Sequence, residues 1–315
     1  MATTAASTPG APKPAGPAPA AGRRITRRPT PARVRFRRLL VSIGNHSVLI
    51  GVSIIFMVPI VFMILTALMT DQQALSTQLW PHPFVWSNFV TVFRSIDLAR
   101  YTWNTFVYAG LSTLGVVISC VPVAYAFSRI TWRGRNVVFL LVLSTLMLPN
   151  QVVSVPLYVI WARTFHDLTG IQFIGTLKPL IIPNWFGDAF SIFLLRQFFM
   201  TIPKELCDSV RVDGGGHWQI LRRVVIPLSK PAIMAVALFQ FIYAWNDFYN
   251  PLVYVGESPT AQTLSLALSN FRGMHHVQWN LTMAATLIFM IPVVVIFFLA
   301  QRVFIEGVTL TGVKG

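Results

Sequence analysis

The stretch CDSVRVDGGGHWQILRRVVIPLSKP, residues 207–231, is a polar, basic island in an apolar chain, with three consecutive glycines, Gly214, Gly215 and Gly216, at its centre. The 315 residues to which it belongs are 54% hydrophobic and only 11% charged, against about 25% charged in average soluble domains. With a mean hydropathy of +0.62, the composition is that of a membrane protein. The position of the island relative to the membrane therefore decides the fold.

Read locally, Pro203-Lys204-Glu205 opens a helix: proline suits a first turn, and an acid suits the positive helix end. Leu206, Val210 and Val212 give that helix a short apolar face. Asp213-Gly214-Gly215-Gly216 breaks it, because glycine reaches the positive φ values of a tight turn. Trp218, Ile220, Leu221, Val224 and Val225 resume helical apolar spacing beside Arg222 and Arg223, and Pro227 and Pro231 close the loop. The pattern predicts a helix–turn–helix bracket. Two roles suit it: an amphipathic element that stabilises the inner membrane interface, or a docking element for a cytosolic partner. Asp213 likewise either caps the second helix or belongs to a docking surface.

A membrane span needs about 20 mostly apolar residues. Six stretches qualify, at about 48–70, 103–128, 137–162, 177–199, 231–255 and 281–304. The expected fold class is an all-α membrane protein with six transmembrane helices. Basic residues orient it. Of the 25 Lys and Arg, nineteen fall in residues 1–47, 129–136 and 200–230 and at the C-terminal end (Arg302 and Lys314), five on the opposite side (Arg94, Arg100, Arg163, Lys178 and Arg272), and Arg196 near the cytoplasmic end of the fourth stretch. Both termini and the island are thereby expected in the cytoplasm. Trp80, Trp86, Trp103 and Trp279 cluster near the proposed outer interface, where amphipathic rings belong.

The expected organisation is a cytoplasmic tail over 1–47, a first transmembrane helix over 48–70, a core over 100–304 that contains the cytoplasmic loop 200–230, and a C-terminal cytoplasmic tail over 305–315. Residues 1–22, rich in Ala, Pro and Gly, are expected to be disordered. The basic run RRITRRPTPARVRFRR, residues 23–38, is expected to lie against anionic lipid. It precedes an apolar stretch longer than the about 7–15 residues of a signal peptide. Apart from Phe36 it has no stacking aromatics, which argues against nucleic acid as a partner.

Several chemistries are set aside. Cys120 and Cys207 are too few and too far apart for a disulfide framework or metal site. His275 and His276 are adjacent, which does not put two ligands on one helix face, so no metal is expected. No Gly-x-x-x-x-Gly-Lys-[Ser/Thr] loop is present, so this chain is not an ATPase of that type. No nucleophile–base pair or HExxH motif argues for an enzyme. A secondary transporter would carry internal repeats; no clear repeat is visible, although prolines interrupt spans three and four. Asp188 and Asp247 are the only acids within the spans, and intramembrane acids are costly. With Asn150, Gln151, Asn184 and Asn246 they form either a polar translocation path or hydrogen bonds between helices.

The island resembles the EAA loop of binding-protein-dependent ABC importer permeases, whose pattern is Glu-Ala-Ala, three residues, Gly, nine residues, Ile, any residue, Leu-Pro. Asp208-Ser209-Val210 stand at the Glu-Ala-Ala positions, Asp213-Gly214 follow in register, and Val224, Ile226 and Pro227 fill the closing positions. Phe193-Leu194-Leu195-Arg196-Gln197-Phe198-Phe199 with Ile202-Pro203-Lys204-Glu205-Leu206, then Trp245-Asn246-Asp247-Phe248 with Pro251-Leu252, are similar to stretches of carbohydrate importers. The ending from Glu306 to Gly315 is similar to the tail of MalG-type permeases. The resemblance covers about residues 45–315.

It implies the type I ABC importer permease fold in the bacterial cytoplasmic membrane. It also implies a non-catalytic subunit that translocates a sugar or oligosaccharide. The implied partners are a second, homologous permease in a heterodimer, an ATPase dimer, an extracytoplasmic sugar-binding protein and membrane lipid. ATP and magnesium would sit on the ATPase subunits and no cofactor on this chain. The island would be the coupling helix, with Gly214 as hinge and Asp208, Arg211, Asp213, Trp218, Arg222 and Pro227 as contacts or braces.

Overall fold

The computed structural model describes residues 32–269 and 277–311. The expected disorder of residues 1–22, most of the basic run, His275 and His276, and the last four residues lie outside them. The elements in order are α1 (Ala32–Ala67), α2 (Asp71–Ala74), α3 (Ser87–Ser95), α4 (Leu98–Arg129), α5 (Arg135–Ser144), α6 (Asn150–Val159), α7 (Phe165–Thr169) and α8 (Lys178–Ile181). They continue with α9 (Ala189–Thr201), α10 (Lys204–Val212), α11 (His217–Ile220), α12 (Ile226–Leu228), α13 (Lys230–Asn246), α14 (Tyr249–Tyr254), α15 (Leu264–Ser269) and α16 (Trp279–Thr311). No β-strand occurs among the described residues.

The chain divides into two units between Met57 and Val58, inside α1. In the first unit α1 begins at Ala32, well ahead of the expected start of the first span near 48. Its described side chains from Leu40 to Met57 are all exposed, as suits an apolar helix whose solvent is lipid.

In the second unit α4 is the central element. Its N-cap Asp97 accepts a hydrogen bond from the Arg100 amide at 3.2 Å. Two apolar clusters form along it. One buries Tyr108 and Ala109 with Phe241, Trp245, Ala284 and Phe289, and so joins α4, α13 and α16. The other buries Val116, Cys120, Ala124 and Phe127 with Leu195, Phe199, Ile220 and Val225, and so joins α4, α9 and the island. At Gly115 a methyl group would lie 2.6 Å from Trp185 Cδ1. Only hydrogen fits there, so α4 and the 182–185 turn approach closely, as small residues allow between membrane helices.

Side-chain amides fasten loops to this frame. Asn88 Nδ2 donates to the Ala67 and Met69 carbonyls, each at 2.8 Å, and so satisfies oxygens that the end of α1 leaves without helical partners. Asn104 Nδ2 donates to the Thr260 and Gln262 carbonyls at 3.0 and 2.9 Å. The Thr105 hydroxyl accepts from the Leu264 amide at 2.8 Å.

Three helices are long and apolar enough to cross a membrane: Leu40–Ala67, Leu98–Arg129 and Trp279–Leu299. Two bent pairs bring the number to five if each pair is one span. Arg135–Met147 and Asn150–Thr169 meet at 97°, and His217–Leu228 and Lys230–Asn246 meet at 77°. The expected third span is thus bent at Pro149, which has no amide hydrogen to continue the helix. The expected fourth, 177–199, is divided into α8, a 3₁₀ turn over Ile182–Trp185, and α9. Gly187, at φ +103°, marks the break. The expected fifth stops at Asn246, and α14 follows after Asp247 and Phe248. Helix α16 continues through Thr311, into the stretch expected to be a tail.

Candidate functional site

The island folds as the bracket its sequence predicts. Helix α10 runs from Lys204 to Val212, with Pro203 before it and Glu205 in its first turn. It ends in a Schellman motif: the Gly214 amide donates to the Arg211 carbonyl at 3.0 Å, and the Gly215 amide to the Val210 carbonyl at 2.8 Å. Gly214 carries the left-handed φ of +78° that this motif needs. Gly216 then opens α11, where its amide donates to Gln219 Oε1 at 3.0 Å. A five-residue π-helix over Leu221–Val225 leads through α12 into α13. Asp213 is the C-cap of α10 and Gly216 the N-cap of α11, so Asp213 does not cap the second helix.

The bracket has two sides. Cys207, Ile220, Leu221 and Val225 are buried in the cluster with α4 and α9. Arg129 on α4 donates through Nη2 to the Phe199 and Ile202 carbonyls, capping the C-terminus of α9 just before the bracket. Tyr125 on α4 shares a 3.0 Å hydrogen bond with His217 Nδ1 on α11. The other side is open. Asp208, Arg211, Asp213, Gly214, Trp218, Arg222 and Pro227 are all exposed. Val212 is 87% and Trp218 68% exposed. Arg211 Nη1 meets Asp208 Oδ1 at 2.6 Å across one helical turn. A surface pair of this kind contributes little to stability, so it shapes the outer face more than it holds the bracket together.

Sequence reasoning singled out Gly214 and missed Gly215. A methyl group at Gly215 would lie 2.5 Å from Val210 Cγ1, 2.7 Å from the Val210 carbonyl oxygen and 2.8 Å from Gln219 Oε1, whereas one at Gly214 or Gly216 meets nothing within 4 Å. Tyr125, Arg129 and His217 were also missed. They lie far apart in sequence, and no local pattern links them.

The candidate path residues line two adjoining cavities. The larger, of about 730 Å³, includes Asn150, Asn184 and Asp188 in its walls. The smaller, of about 520 Å³, includes Asn150, Gln151, Asn246 and Asp247. Asn150, Tyr243 and Asn250 belong to both. Structural duties coexist with this placement. Asp188 caps α9 by accepting from the Ser191 amide at 2.7 Å. Its own amide donates to Cys120 Sγ at 3.2 Å. Asp247 Oδ2 accepts from the Tyr108 hydroxyl at 2.7 Å and from Asn250 Nδ2 at 2.9 Å. Asn184 bridges three helical segments: it donates to the Leu180 carbonyl at 2.8 Å and the Ser112 hydroxyl at 3.3 Å, and accepts from Gln240 at 3.0 Å. Asn246 turns its amide back to the Ile242 carbonyl at 2.8 Å. Gln240 and Tyr243, which the sequence reading passed over, precede Asp247 on α13 by seven and four residues. That spacing repeats on one helix face and is a legible signal.

The family described as "binding-protein-dependent transport system inner membrane component" matches residues 120–309. The chain is 31% identical over 277 residues to the osmoprotective compounds uptake permease protein GgtD of Synechocystis, which covers 85% of this chain and 91% of that one. It is 30% identical over 238 residues to the arabinooligosaccharides transport system permease protein AraQ of Halalkalibacterium halodurans, with coverage of 75% and 81%. It is 30% identical over 275 residues to the sn-glycerol-3-phosphate transport system permease protein UgpE of Yersinia pestis, with coverage of 83% and 94%. Among solved structures, a chain of a bacterial ABC transporter that imports the acidic polysaccharide alginate superposes with a TM-score of 0.67 at 21% identity, over 84% of this chain and 96% of that one. The helical architecture is therefore the type I ABC importer permease fold, and the chain belongs to the family of binding-protein-dependent transport system inner membrane components.

Proposed function

We propose that this chain is the transmembrane permease subunit of an ATP-driven importer that moves a sugar or oligosaccharide delivered by an extracytoplasmic binding protein. Residues 207–227 couple it to separate ATPase subunits. One observation carries the reading: the bracket buries one side against α4 and α9 and leaves an apolar and basic side, with Val212, Trp218, Arg211 and Arg222, uncovered. Trp218 and Val212 fit a pocket on another protein, where a buried aromatic anchor and nearby arginines supply most of the binding energy.

In this reading the chain crosses the bacterial cytoplasmic membrane six times with both termini inside. The two bent pairs and the divided 177–199 segment complete the count begun by the three long helices. A second, homologous permease forms a heterodimer with it, and lipid covers the exposed apolar side chains of α1. ATP and magnesium belong to the ATPase dimer. Closure of that dimer on ATP pushes the bracket, and the anchors at Arg129 and Tyr125 pass the movement to α9 and α4, rigid-body switching of a packed unit. Asn150, Gln151, Asp188, Asn246 and Asp247 line the path the solute takes.

Co-purification tests the reading. Tagged chain extracted in mild detergent should bring down an ATPase subunit in stoichiometric amount, and Trp218→Ala should reduce that yield and sugar uptake together. A complex that lacks an ATPase subunit would overturn it.

A further inference from the structure

The larger cavity has a wall chemistry that selects among solutes. Amide side chains of Asn150, Asn184, Gln240 and Asn250 line it together with the hydroxyls of Ser154 and Tyr243. Each amide offers donors and an acceptor, and each hydroxyl does both. Several of these groups are paired with one another, Asn184 with Gln240 and Asn150 with Tyr243, and the capacity that remains suits a ligand whose own groups both donate and accept, such as one bearing several hydroxyls. Phe190 and Phe239, with ring centroids 6.5 Å apart, add apolar surface to the same cavity, the mixture of apolar walls and a few placed polar groups typical of small-molecule sites.

The charge on these walls is negative. Asp188 lines the larger cavity and Asp247 the adjoining one. The hydrogen bonds their carboxylates accept come from neutral groups: the Ser191 amide, the Tyr108 hydroxyl, and the side chain and amide of Asn250. The ion pairs among the described residues are elsewhere, at Arg100–Asp97 and Arg211–Asp208. An anion entering this cleft would meet like charge.

Trp161 adds a donor. Its ring is 6% exposed, lines the larger cavity, and is held by Phe165 and Phe173 at centroid distances of 4.7 and 5.2 Å. Its buried indole N–H has no acceptor among the described residues, a condition that native structures seldom leave unexplained.

The geometry points to an uncharged polyhydroxyl ligand, a neutral sugar or oligosaccharide, in the cavity walled by Asn150, Ser154, Trp161, Asn184, Gln240 and Asn250, with phosphorylated and uronate ligands disfavoured. This rests on the importer reading. Sequence identity does not make the distinction, since relatives named for arabinooligosaccharides and for sn-glycerol-3-phosphate match equally at 30%.

The test uses the assembled, nucleotide-free complex of this chain with its permease and ATPase partners, dialysed against radiolabelled maltotriose, arabinotriose, sn-glycerol 3-phosphate and trigalacturonate. At least one neutral trisaccharide should bind saturably and at least tenfold more tightly than either anion. Trp161→Phe, which keeps the ring and removes the donor, should weaken that binding roughly fivefold, the share of one hydrogen bond. Equal or tighter binding of an anion overturns the inference, as does the lack of saturable neutral binding. So does unchanged affinity in both Trp161→Phe and Gln240→Leu with the complex intact. In each of these cases an ATPase that still assembles with the chain leaves the importer reading standing, whereas a chain that assembles with no ATPase defeats that reading first.

Discussion

Gly214, Gly215 and Gly216 are consecutive and chemically identical, yet the structure asks different things of them. Gly214 holds a positive φ, which costs another residue about 1–2 kcal/mol. Gly215 has an ordinary φ, but its α-carbon packs against Val210 and Gln219 so closely that any side chain must displace backbone; overpacking of this kind costs about 1–3 kcal/mol. Gly216 has open space and an extended backbone. Alanine substitutions should therefore reduce uptake in the order Gly215, then Gly214, with Gly216→Ala near wild type, as measured by initial uptake rates at matched membrane expression. A second residue-scale prediction concerns Asp247. Asp247→Ala strands the Tyr108 hydroxyl and the Asn250 amide. At about 1–3 kcal/mol for each donor left unsatisfied, it should lower the melting temperature of the detergent-solubilised protein. Asp247→Asn, which keeps an acceptor, should lower it less.

At the scale of elements, α4 is the part on which the rest depends, and two contacts show how. Gly115 lets the turn at Trp185 approach, so Gly115→Leu should force α4 from α8 and α9 and reduce the yield of folded protein in the membrane. Arg129 caps α9 through two carbonyls. Arg129→Met should destabilise by about 1–3 kcal/mol, and Arg129→Lys, which keeps a charged donor on a shorter side chain, should recover part. Thermal unfolding in detergent checks both. The elements also show what a single sequence can reveal. The bracket was legible because its signals are local: Pro203 at the start, the glycines at the break, and 3.6-residue apolar spacing on either side. The breaks at Pro149, Gly187 and Asp247 were not, because a window of about 20 apolar residues looks the same whether the chain runs straight through it or bends. The polar residues Asn184, Asp188 and Asp247 were legible as costly groups in apolar spans. Their hydrogen-bonded partners Tyr108, Ser112 and Cys120 were hidden because each lies 68 to 139 residues away in the chain.

At the scale of the molecule, Val58 to Thr311 encloses two apolar clusters, two adjoining polar cavities and a bracket with one buried and one open side. The coupling account makes the open side of the bracket a cytoplasmic socket piece that moves with an ATPase. Both native cysteines, Cys120 and Cys207, are buried, so a cysteine introduced at the 87% exposed Val212 reports with little background. The most direct measurement is site-specific cross-linking from Val212→Cys in membranes that contain the full transporter, with and without ATP. The account predicts a cross-link to the ATPase subunit whose yield changes with ATP, and labelling by a membrane-impermeant maleimide only after the cytoplasmic face is opened. Labelling of intact cells from outside, or an assembled complex in which this position never cross-links to the ATPase, would contradict it.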